Sequence, residues 1–508
     1  MRGSYSGNTL AFQAKARSSI LLPRSIIERS KMNVIQRIAQ QAGITPNRTA
    51  LIQKSNNISY KQLVDMVNRA AAFLKPIQDH DVVAIDFKDG LDSLVVRFAC
   101  MQLGIVSASI SNKLPPEEIL KRWQLIEATH MITDEFHDAF ASFPQMCVPN
   151  LITQSEALPP LQEYTPGGDL PLFICWSGGT HGTPDALLHS HASMLEQVSN
   201  AEHYWKPANS NNHVCYSVAP IPTAFFTFYL IICLAKGYTL VFEPTPFNPT
   251  TVANNIIQHK VEHFAATPPI FSILLRKKLL TPLNAPTINL IAGDAVSSQL
   301  VKEWESTLHQ TMHTCLASSQ TTAVTYREKD APQDSLGKLL PYAEMRLLDE
   351  NGNQVAPGQP GEAWYRSKQF AIADRTLSGV SSIKDGWITS RDILRQDENG
   401  FIYFVGRSND TFKVNGLFVS PYSIEDRVRD IPGVEDAVVV PKADEHGVKR
   451  VKIYVVTQQG AYDKNEIERS IREMSNLASH ERIRHVEFID EVPRHPLNMK
   501  VQRAKLRV

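Results

Sequence analysis

The residues with the clearest capacity for chemistry fall in one stretch, Phe173-Ile174-Cys175-Trp176-Ser177-Gly178-Gly179-Thr180-His181-Gly182-Thr183-Pro184-Asp185, continued by Ala186-Leu187-Leu188-His189-Ser190-His191. An apolar run passes into a loop of Gly, Ser and Thr and then into a segment that can be helical, as in a strand–loop–helix nucleotide site. Glycines let backbone N–H groups approach an anion, and the hydroxyls add donors of their own, so the loop suits phosphate. It is not the common P-loop, because no Gly-Lys-Ser/Thr follows. A Gly-rich turn that holds nothing is the competing reading. Elsewhere, His189, His191 and His313 have no metal-ligand spacing around them and read as packing or hydrogen-bonding groups.

The elements that must carry this loop alternate in type. Leu63–Leu74 is amphipathic, Val82–Phe87 reads as a strand, Leu91–Leu103 as a helix ended by Gly104, and Ile105–Ile110 as a further strand. Strand and helix taking turns predicts a layered α/β domain. Residues 150–170, rich in Pro and Gly, read as a linker into the loop. The alternation resumes through Thr239–Phe242, a helix around Val252–His259, and Thr287–Ala292. The most apolar run, Phe225–Ala235, is too short for a bilayer-spanning helix of about 20 residues and reads as a buried helix. Beyond Ser335 the chain turns β-rich, with Glu344–Leu348 and Glu362–Tyr365 set off by Asn351-Gly352 and Pro357-Gly358 turns.

The chain has 508 residues, too long for one ordinary core. Lys plus Arg and Asp plus Glu stand at 52 each, so no net field attracts nucleic acid or an anionic membrane. The six cysteines are scattered without a Cys-x-x-Cys pair, which predicts free thiols in a reducing, cytoplasmic setting. Residues 1–31 are basic and Ser-rich with one acid, Glu28; they read as a disordered extension, or as sequence upstream of a start at Met32, rather than as a targeting segment.

From about Met32 to its end the chain resembles the adenylate-forming superfamily of acyl-CoA synthetases, peptide-synthetase adenylation domains and luciferases, and within it the benzoate- and anthranilate-CoA ligase branch. Ser177–Asp185 is similar to the family's Ser-Gly-x-Ser/Thr-x-Gly-x-Pro-Lys phosphate loop. Ile58-Ser59-Tyr60-Lys61-Gln62-Leu63 resembles its Thr-Tyr-x-Glu-Leu signature, and Gly293-Asp294-Ala295 its adenine-contacting turn. The most specific match is Asp392-Ile393-Leu394 followed by Asp397-Glu398-Asn399-Gly400-Phe401-Ile402-Tyr403-Phe404-Val405-Gly406-Arg407-Ser408-Asn409-Asp410-Thr411-Phe412-Lys413-Val414-Asn415-Gly416.

The resemblance implies roles residue by residue. Ser177, Gly178, Gly179, Thr180, His181 and Gly182 would hold phosphate, and Gly293, Asp294 and Ala295 the adenine. Asp392 would accept both ribose hydroxyls, with Arg407 near ribose or phosphate. Lys500 would bridge the acid and the α-phosphate, acting with Thr180 and Gln320 in catalysis. Asn409 would be the hinge of a mobile C-terminal domain whose Val414, Asn415 and Gly416 form a thiol-binding face. Ala224, Phe225, Ala292, Leu316 and Ala317 would line an acid pocket. Taken alone, Asp392 reads as a strand-end surface acid, Arg407 as a salt-bridging surface group, and Lys500 as part of a solvated basic tail with Arg503, Lys505 and Arg507.

Departures from the pattern are as informative. Asp185 stands in place of the loop lysine and His181 in place of a hydroxyl. Gln320, in Leu316-Ala317-Ser318-Ser319-Gln320, replaces the glutamate that serves Mg²⁺, so it is at best a weak metal ligand. Ser390 and Arg391 replace the first two residues of Thr-Gly-Asp. Residues 219–225 hold no ionisable group, and His313 is the one obvious cation near the pocket. The changes at 185, 320 and 391 together leave the charge unchanged, which fits rearranged binding; decay of an active ancestor is the other reading.

The expected architecture is therefore a two-domain α/β fold: an extension over 1–31, an AMP-binding domain over 32–407 with layered α/β subdomains and a β-rich subdomain, and a small α+β domain over 408–508. The expected function is ATP-dependent, Mg²⁺-assisted activation of an aromatic or medium apolar carboxylic acid as acyl-AMP, then transfer to CoA or to the phosphopantetheine thiol of a carrier protein, in secondary metabolism. A catalytically degenerate nucleotide- or acid-binding paralogue, serving as a partner protein, is the alternative; amide formation without a thiol is a third. An acyl carrier protein is the one macromolecular partner expected; nucleic acid and a membrane span are not. Oligomeric state is not legible.

Overall fold

The computed structural model describes residues 32–77, 81–87, 90–110, 114–148, 159–165, 167–177, 184–205, 213–243, 247–294, 296–376, 381–408, 410–414, 417–444, 448–458, 463–475, 477–494 and 501–507. Two seven-stranded sheets dominate. In the first, the strands run Met312–Thr314, Ile288–Ile291, His263–Ala266, Val214–Ser217, Thr239–Val241, Thr49–Gln53 and Asn56–Ser59, parallel except for the last. In the second the order is Ala373–Arg375, Ala186–Ser190, Pro171–Trp176, Val106–Ser109, Val82–Asp86, His130–Thr133 and Gln145–Cys147.

Helices Val34–Ile44, Tyr60–Leu74, Gly90–Leu103, His191–Asn200 and Ala224–Ala235 share one core with residues of both sheets, including Leu51 and Leu240 of the first and Val83 and Ile85 of the second. This middle layer explains why Gly90–Leu103 and Ala224–Ala235 are buried nearly all round: a helix covered by a sheet on either side has no solvent face. Three of the helices begin where the sequence offers a capping box, Asn33 with Gln36, Ser59 with Gln62 and Ser190 with Ser193. The expected buried helix at Phe225–Ala235 is present, extended by Ala224 and capped by Thr223.

The segment after Asp185 is not helical. Ala186–Ser190 is a strand, antiparallel to Pro171–Trp176 on one side and to Ala373–Arg375 on the other, and the helix starts only at His191. All five residues of the strand are buried, and sealing Leu187 and Leu188 stabilises by about 1.5–3 kcal/mol each. Pairing on both edges outweighs the helix-compatible composition. The phosphate loop is thus the connection of a β-hairpin.

The described part of the linker, 159–165, is clamped: Gln102 donates to the Leu161 and Glu163 carbonyls and accepts, through its own carbonyl, the Thr165 N–H. Beyond it, Glu344–Leu348, Gly361–Arg366, Trp387–Gln396, Ile383–Lys384 and Ile402–Arg407 form an antiparallel sheet. A smaller C-terminal domain follows, with strands Val434–Ala443, Lys449–Thr457 and Ile483–Phe488, helices Pro421–Arg429 and Lys464–Arg472, and a core of its own. Among the described residues no helix is long and apolar enough to cross a membrane. Five cysteines are buried and Cys147 is exposed, all of them free thiols. Residues 1–31 lie outside the described residues.

Candidate active site

The hairpin carries the loop between two anchored ends. Ser177 N–H donates to the Asp185 carbonyl at 2.9 Å, and Asp185 N–H returns to Ser177 Oγ at 2.9 Å. Trp176, just before the loop, donates from its indole to the Ser109 carbonyl at 2.9 Å, while the Arg122 guanidinium lies over its ring at 5.1 Å. Burial pushes the Asp185 carboxyl above its ordinary range; Asp374 adds to this, and Arg391 and the Ser177 hydrogen bond oppose it. Gly178, Gly179, Thr180, His181 and Gly182 lie outside the described residues.

The turn at 316–320 is fastened to this hairpin. Ser319 Oγ donates to the Trp176 carbonyl at 3.0 Å, and the Ser319 carbonyl lies 2.9 Å from His189 Nε2. His189 is fully buried, stacks on Phe173 and meets Phe228 edge-on. Burial drops its pKa to about 4, so it is neutral and donates that hydrogen. The packing and hydrogen-bonding roles expected for His189 and His191 fit: His191 is also buried, and its Nδ1 accepts the Val34 N–H at 3.2 Å. His313 donates from Nδ1 to the Arg327 carbonyl at 3.0 Å and stacks on Tyr326; burial lowers its pKa, so the expectation of a pocket cation there is corrected to a neutral ring. Gln320 is held by its backbone, its N–H on Ser318 Oγ and its carbonyl on Ala371 N–H. Its amide oxygen can ligate Mg²⁺ but brings no charge, and among the described residues no cluster of three or more His, Cys, Asp or Glu could hold a metal. One neutral oxygen fits an ion whose other ligands come from nucleotide phosphates.

On the other sheet, Gly293 ends the strand Ile288–Ile291 with φ 92°, a left-handed backbone that favours glycine. A Cβ there would lie 3.9 Å from Phe225, so this turn and the helix Ala224–Ala235 adjoin. Ala224 and Ala292 are buried, and Ala317 packs against the same core, whereas Leu316 packs against the core of the β-rich subdomain. Of the five residues expected to line an acid pocket, Ala224, Phe225, Ala292 and Ala317 thus belong to or pack against one core, and Leu316 packs against another. Ala295 lies outside the described residues.

Sequence reasoning missed Arg97. Its guanidinium, 3 % exposed, donates to Thr227 Oγ1 at 2.5 Å and to the Ile221 carbonyl at 3.4 Å, and burial lowers its pKa to about 10. It ties the helix Gly90–Leu103 to the start of the pocket helix. The signal was available: one charge inside Leu94-Val95-Val96-Arg97-Phe98-Ala99-Cys100-Met101.

Asp392 and Arg407 are paired across antiparallel strands, Nε to Oδ1 at 3.1 Å. Asp392 is 2 % exposed and also accepts from Ser390 Oγ at 2.6 Å, so the reading of a surface acid is corrected to a buried one. Asp392, then Asp294 and Asp410, raise the Arg407 pKa; the strand pair thus shares a field with the turn at Gly293-Asp294. Further on, Arg503 is not part of a solvated face: it binds Glu425 through both Nη atoms at 2.7 and 2.9 Å, and Glu425 is 1 % exposed. The bridge between Arg494 and Val501 closes the chain around the segment that contains Lys500, which itself lies outside the described residues. Asn409, Asn415 and Gly416 do too. Val414 is buried in the strand Phe412–Val414. Tyr422 donates to the Val296 carbonyl and Arg276 pairs with Glu435 at 2.8 Å, joining the C-terminal domain to the large one.

Comparisons with known proteins agree with this arrangement. Residues 38–372 match the family described as AMP-binding enzyme, and residues 423–497 match the AMP-binding enzyme C-terminal domain. A 3-hydroxybenzoate–CoA ligase of Aromatoleum sp. (strain CIB) is 24 % identical over 91 % of this chain and 93 % of its own. Among solved structures, ATP-bound MatB from Rhodopseudomonas palustris superposes with a TM-score of 0.85 at 20 % identity, covering 94 % of this chain and 98 % of its own. A benzoate CoA ligase from Burkholderia xenovorans LB400 gives the same TM-score and identity, covering 94 % and 100 %. With most of its length matched in this way, the chain belongs to the AMP-binding enzyme family and has the fold of its adenylate-forming ligases.

Proposed function

We propose that this protein activates an aromatic or medium apolar carboxylic acid with ATP and passes the acyl group to the thiol of CoA. In the first step a carboxylate oxygen attacks the α-phosphorus, the bond to the β-phosphate bridge breaks, and pyrophosphate leaves with acyl-AMP remaining. In the second, a thiol sulfur attacks the acyl carbon, AMP leaves, and the thiol proton passes to solvent. The observation that carries the reading is the buried Asp392, fixed by Arg407 and Ser390 within reach of the Asp294 field. A carboxylate so held can accept two hydroxyls side by side, as a ribose presents them. Arg407 and the hairpin base at Ser177 supply donors for phosphate. Mg²⁺ enters with ATP, and Gln320 offers it one neutral oxygen.

The acid is assigned from the apolar lining at Ala224, Phe225, Ala292 and Ala317 and from the relatives' aromatic substrates. Lys500 is assigned to the bridging role in adenylation, Asn409 to the hinge after residue 407, and Val414 with Asn415 and Gly416 to the thiol face. A carrier-protein thiol is the competing acceptor. The second reading, a paralogue that binds without turnover, is favoured by one observation: Asp185 brings an anion to the hairpin base where relatives carry a cation. Acid-dependent pyrophosphate–ATP exchange, with pooled aromatic and aliphatic acids and Lys500→Ala alongside, tests both. Exchange that needs an acid and Lys500 establishes the ligase; folded protein that binds ATP without exchange supports the second reading.

A further inference from the structure

We infer that Arg391 is the cation that meets the nucleotide phosphates in place of a phosphate-loop lysine, with Asp185 as the counter-charge from which bound nucleotide takes it over. The inference rests on the ligase reading above and adds a residue to that same site.

Arg391 stands in a β-bulge. Thr389 pairs with Trp364 and Ile393 with Glu362, so Ser390, Arg391 and Asp392 together face the single residue Ala363. Such a bulge re-aims side chains away from the regular ladder. The backbone at Arg391 has φ 61°, a left-handed conformation that L side chains rarely adopt. It is held from both sides, its N–H on Thr389 Oγ1 at 2.9 Å and its carbonyl on Ser408 N–H at 2.8 Å. Strain of this kind persists where surroundings enforce it, and it gathers at functional sites. One residue on, Asp392 is fixed by Ser390 and Arg407, so Arg391 adjoins the group assigned to ribose.

The guanidinium is exposed and in no direct ion pair with a described residue. Contacts tie its strand to the hairpin: Arg375 pairs with Ala186, next to Asp185; Asp374 holds Ser382; and Thr389 N–H, two residues before Arg391, donates to the Ser382 carbonyl at 3.2 Å, so the Arg391 charge acts on the Asp185 carboxyl. Asp374, the other acid acting there, is occupied: Ser381 Oγ donates to Oδ1 at 2.5 Å, and Ser382 N–H and Oγ donate to Oδ2 at 2.6 and 2.7 Å. Arg391 is thus attracted toward the hairpin base without being locked there. A planar fork of N–H donors in that state is suited to phosphate oxygens.

The test is calorimetric titration of Mg·ATP and of AMP into the full-length protein and its variants, each checked by its melting temperature. Arg391→Gly should weaken ATP binding about tenfold, AMP much less, because AMP lacks the β- and γ-phosphates. Its melting temperature should not fall, since glycine suits the left-handed backbone. Arg391→Lys should retain most of the affinity. Asp185→Lys combined with Arg391→Gly should return ATP affinity to near that of the parent, because it puts the cation back on the hairpin. Unchanged ATP affinity in Arg391→Gly, an equal loss for AMP, or no recovery in the double variant would each overturn the inference. A parent that binds no ATP sinks the ligase reading along with it, whereas a parent that sustains exchange and is matched by Arg391→Gly sinks this inference alone.

Discussion

The hairpin between Ser177 and Asp185 and the bulge at Ser390–Asp392, assigned here to one site, are built on different interactions. The hairpin, with the turn at 316–320, is secured by neutral groups: hydroxyls on carbonyls, a buried uncharged His189 and stacked aromatic rings. The bulge and the strand beside it are secured by charge, Asp392 against Arg407, in a field shared with Asp294 and Asp410. Departures from the family pattern fall on both sides, Asp185 and Gln320 on the neutral one and Ser390 and Arg391 on the charged one, whereas the ion pair of Asp392 and Arg407 is kept. Neutral hydrogen bonds hold a backbone in place without dictating the sign of charge beside it, so a loop lysine can be exchanged for Asp185 with the hairpin intact. A buried carboxylate with one cation has no such freedom, because losing either partner strands the other.

Acid should separate the large domain, which carries both sides, from the C-terminal domain by the largest effect. His189, His191 and His263 are buried, with pKa values lowered by burial to about 4, 3 and 3. Each is near 6.5 when unfolded, so below that pH the unfolded chain binds more protons than the folded one. Their contribution is complete above about pH 6.5 and is lost as pH falls toward 4. From pH 7 to 5 each should remove about 2 kcal/mol of stability. Asp426 in the C-terminal domain works in the opposite sense: burial raises it to about 6, and protonation there relieves a cost. Hydrogen exchange at pH 7 and 5 should show the large domain loosening before the C-terminal one. Uniform loosening would break the distinction.

Removing charge should act on the charged side. Asp392→Ala leaves Arg407 facing the site without its main partner and should destabilise by about 3 kcal/mol in denaturant unfolding. Exchange activity should fall at least about a hundredfold as the ribose contact goes. If Asp392→Ala retains exchange, the bulge is structural and the assignment of ribose to it fails.

What the sequence made legible divides along the same line. Asp392 and Arg407 stand out because the hairpin that joins them is local, so one contiguous run records both partners and their spacing. The phosphate loop is recognisable for the same reason. The strand Ala186–Ser190 was not, since one of its two edges is paired with Ala373–Arg375, nearly two hundred residues away, a pairing that local composition does not announce. Arg97 with Thr227, Arg503 with Glu425 and the neighbourhood of Asp185 and Arg391 are contacts of the same non-local kind. A charge in an apolar run marks that such a partner exists; only the fold says which it is.

On the neutral side a moderate gain is expected from restoring charge. Gln320→Glu adds an anionic oxygen at a partly exposed turn, worth about tenfold in the Mg²⁺ concentration that supports half-maximal exchange. Stability should be unaffected, because the turn is held by Ser318, Ser319 and backbone groups that the change leaves alone. No shift in Mg²⁺ dependence would mean that Gln320 does not face the metal.

The smallest effect tests whether the charged side relies on charge alone. Ser390 Oγ donates to Asp392 Oδ2 at 2.6 Å, while Arg407 holds Oδ1. Ser390→Ala leaves the ion pair intact and removes one charge-assisted hydrogen bond of about 1.5 kcal/mol, which predicts a loss in ATP affinity of about tenfold or less. The loss should be smaller for Ser390→Thr, which keeps the hydroxyl, and AMP should weaken as much as ATP, since both carry the ribose. A loss confined to ATP would place Ser390 on the phosphates, and the bulge would then serve the triphosphate through residue 390 as well as 391. No loss at all would mean that Arg407 alone fixes the carboxylate, so that the comparison rests on a single ion pair.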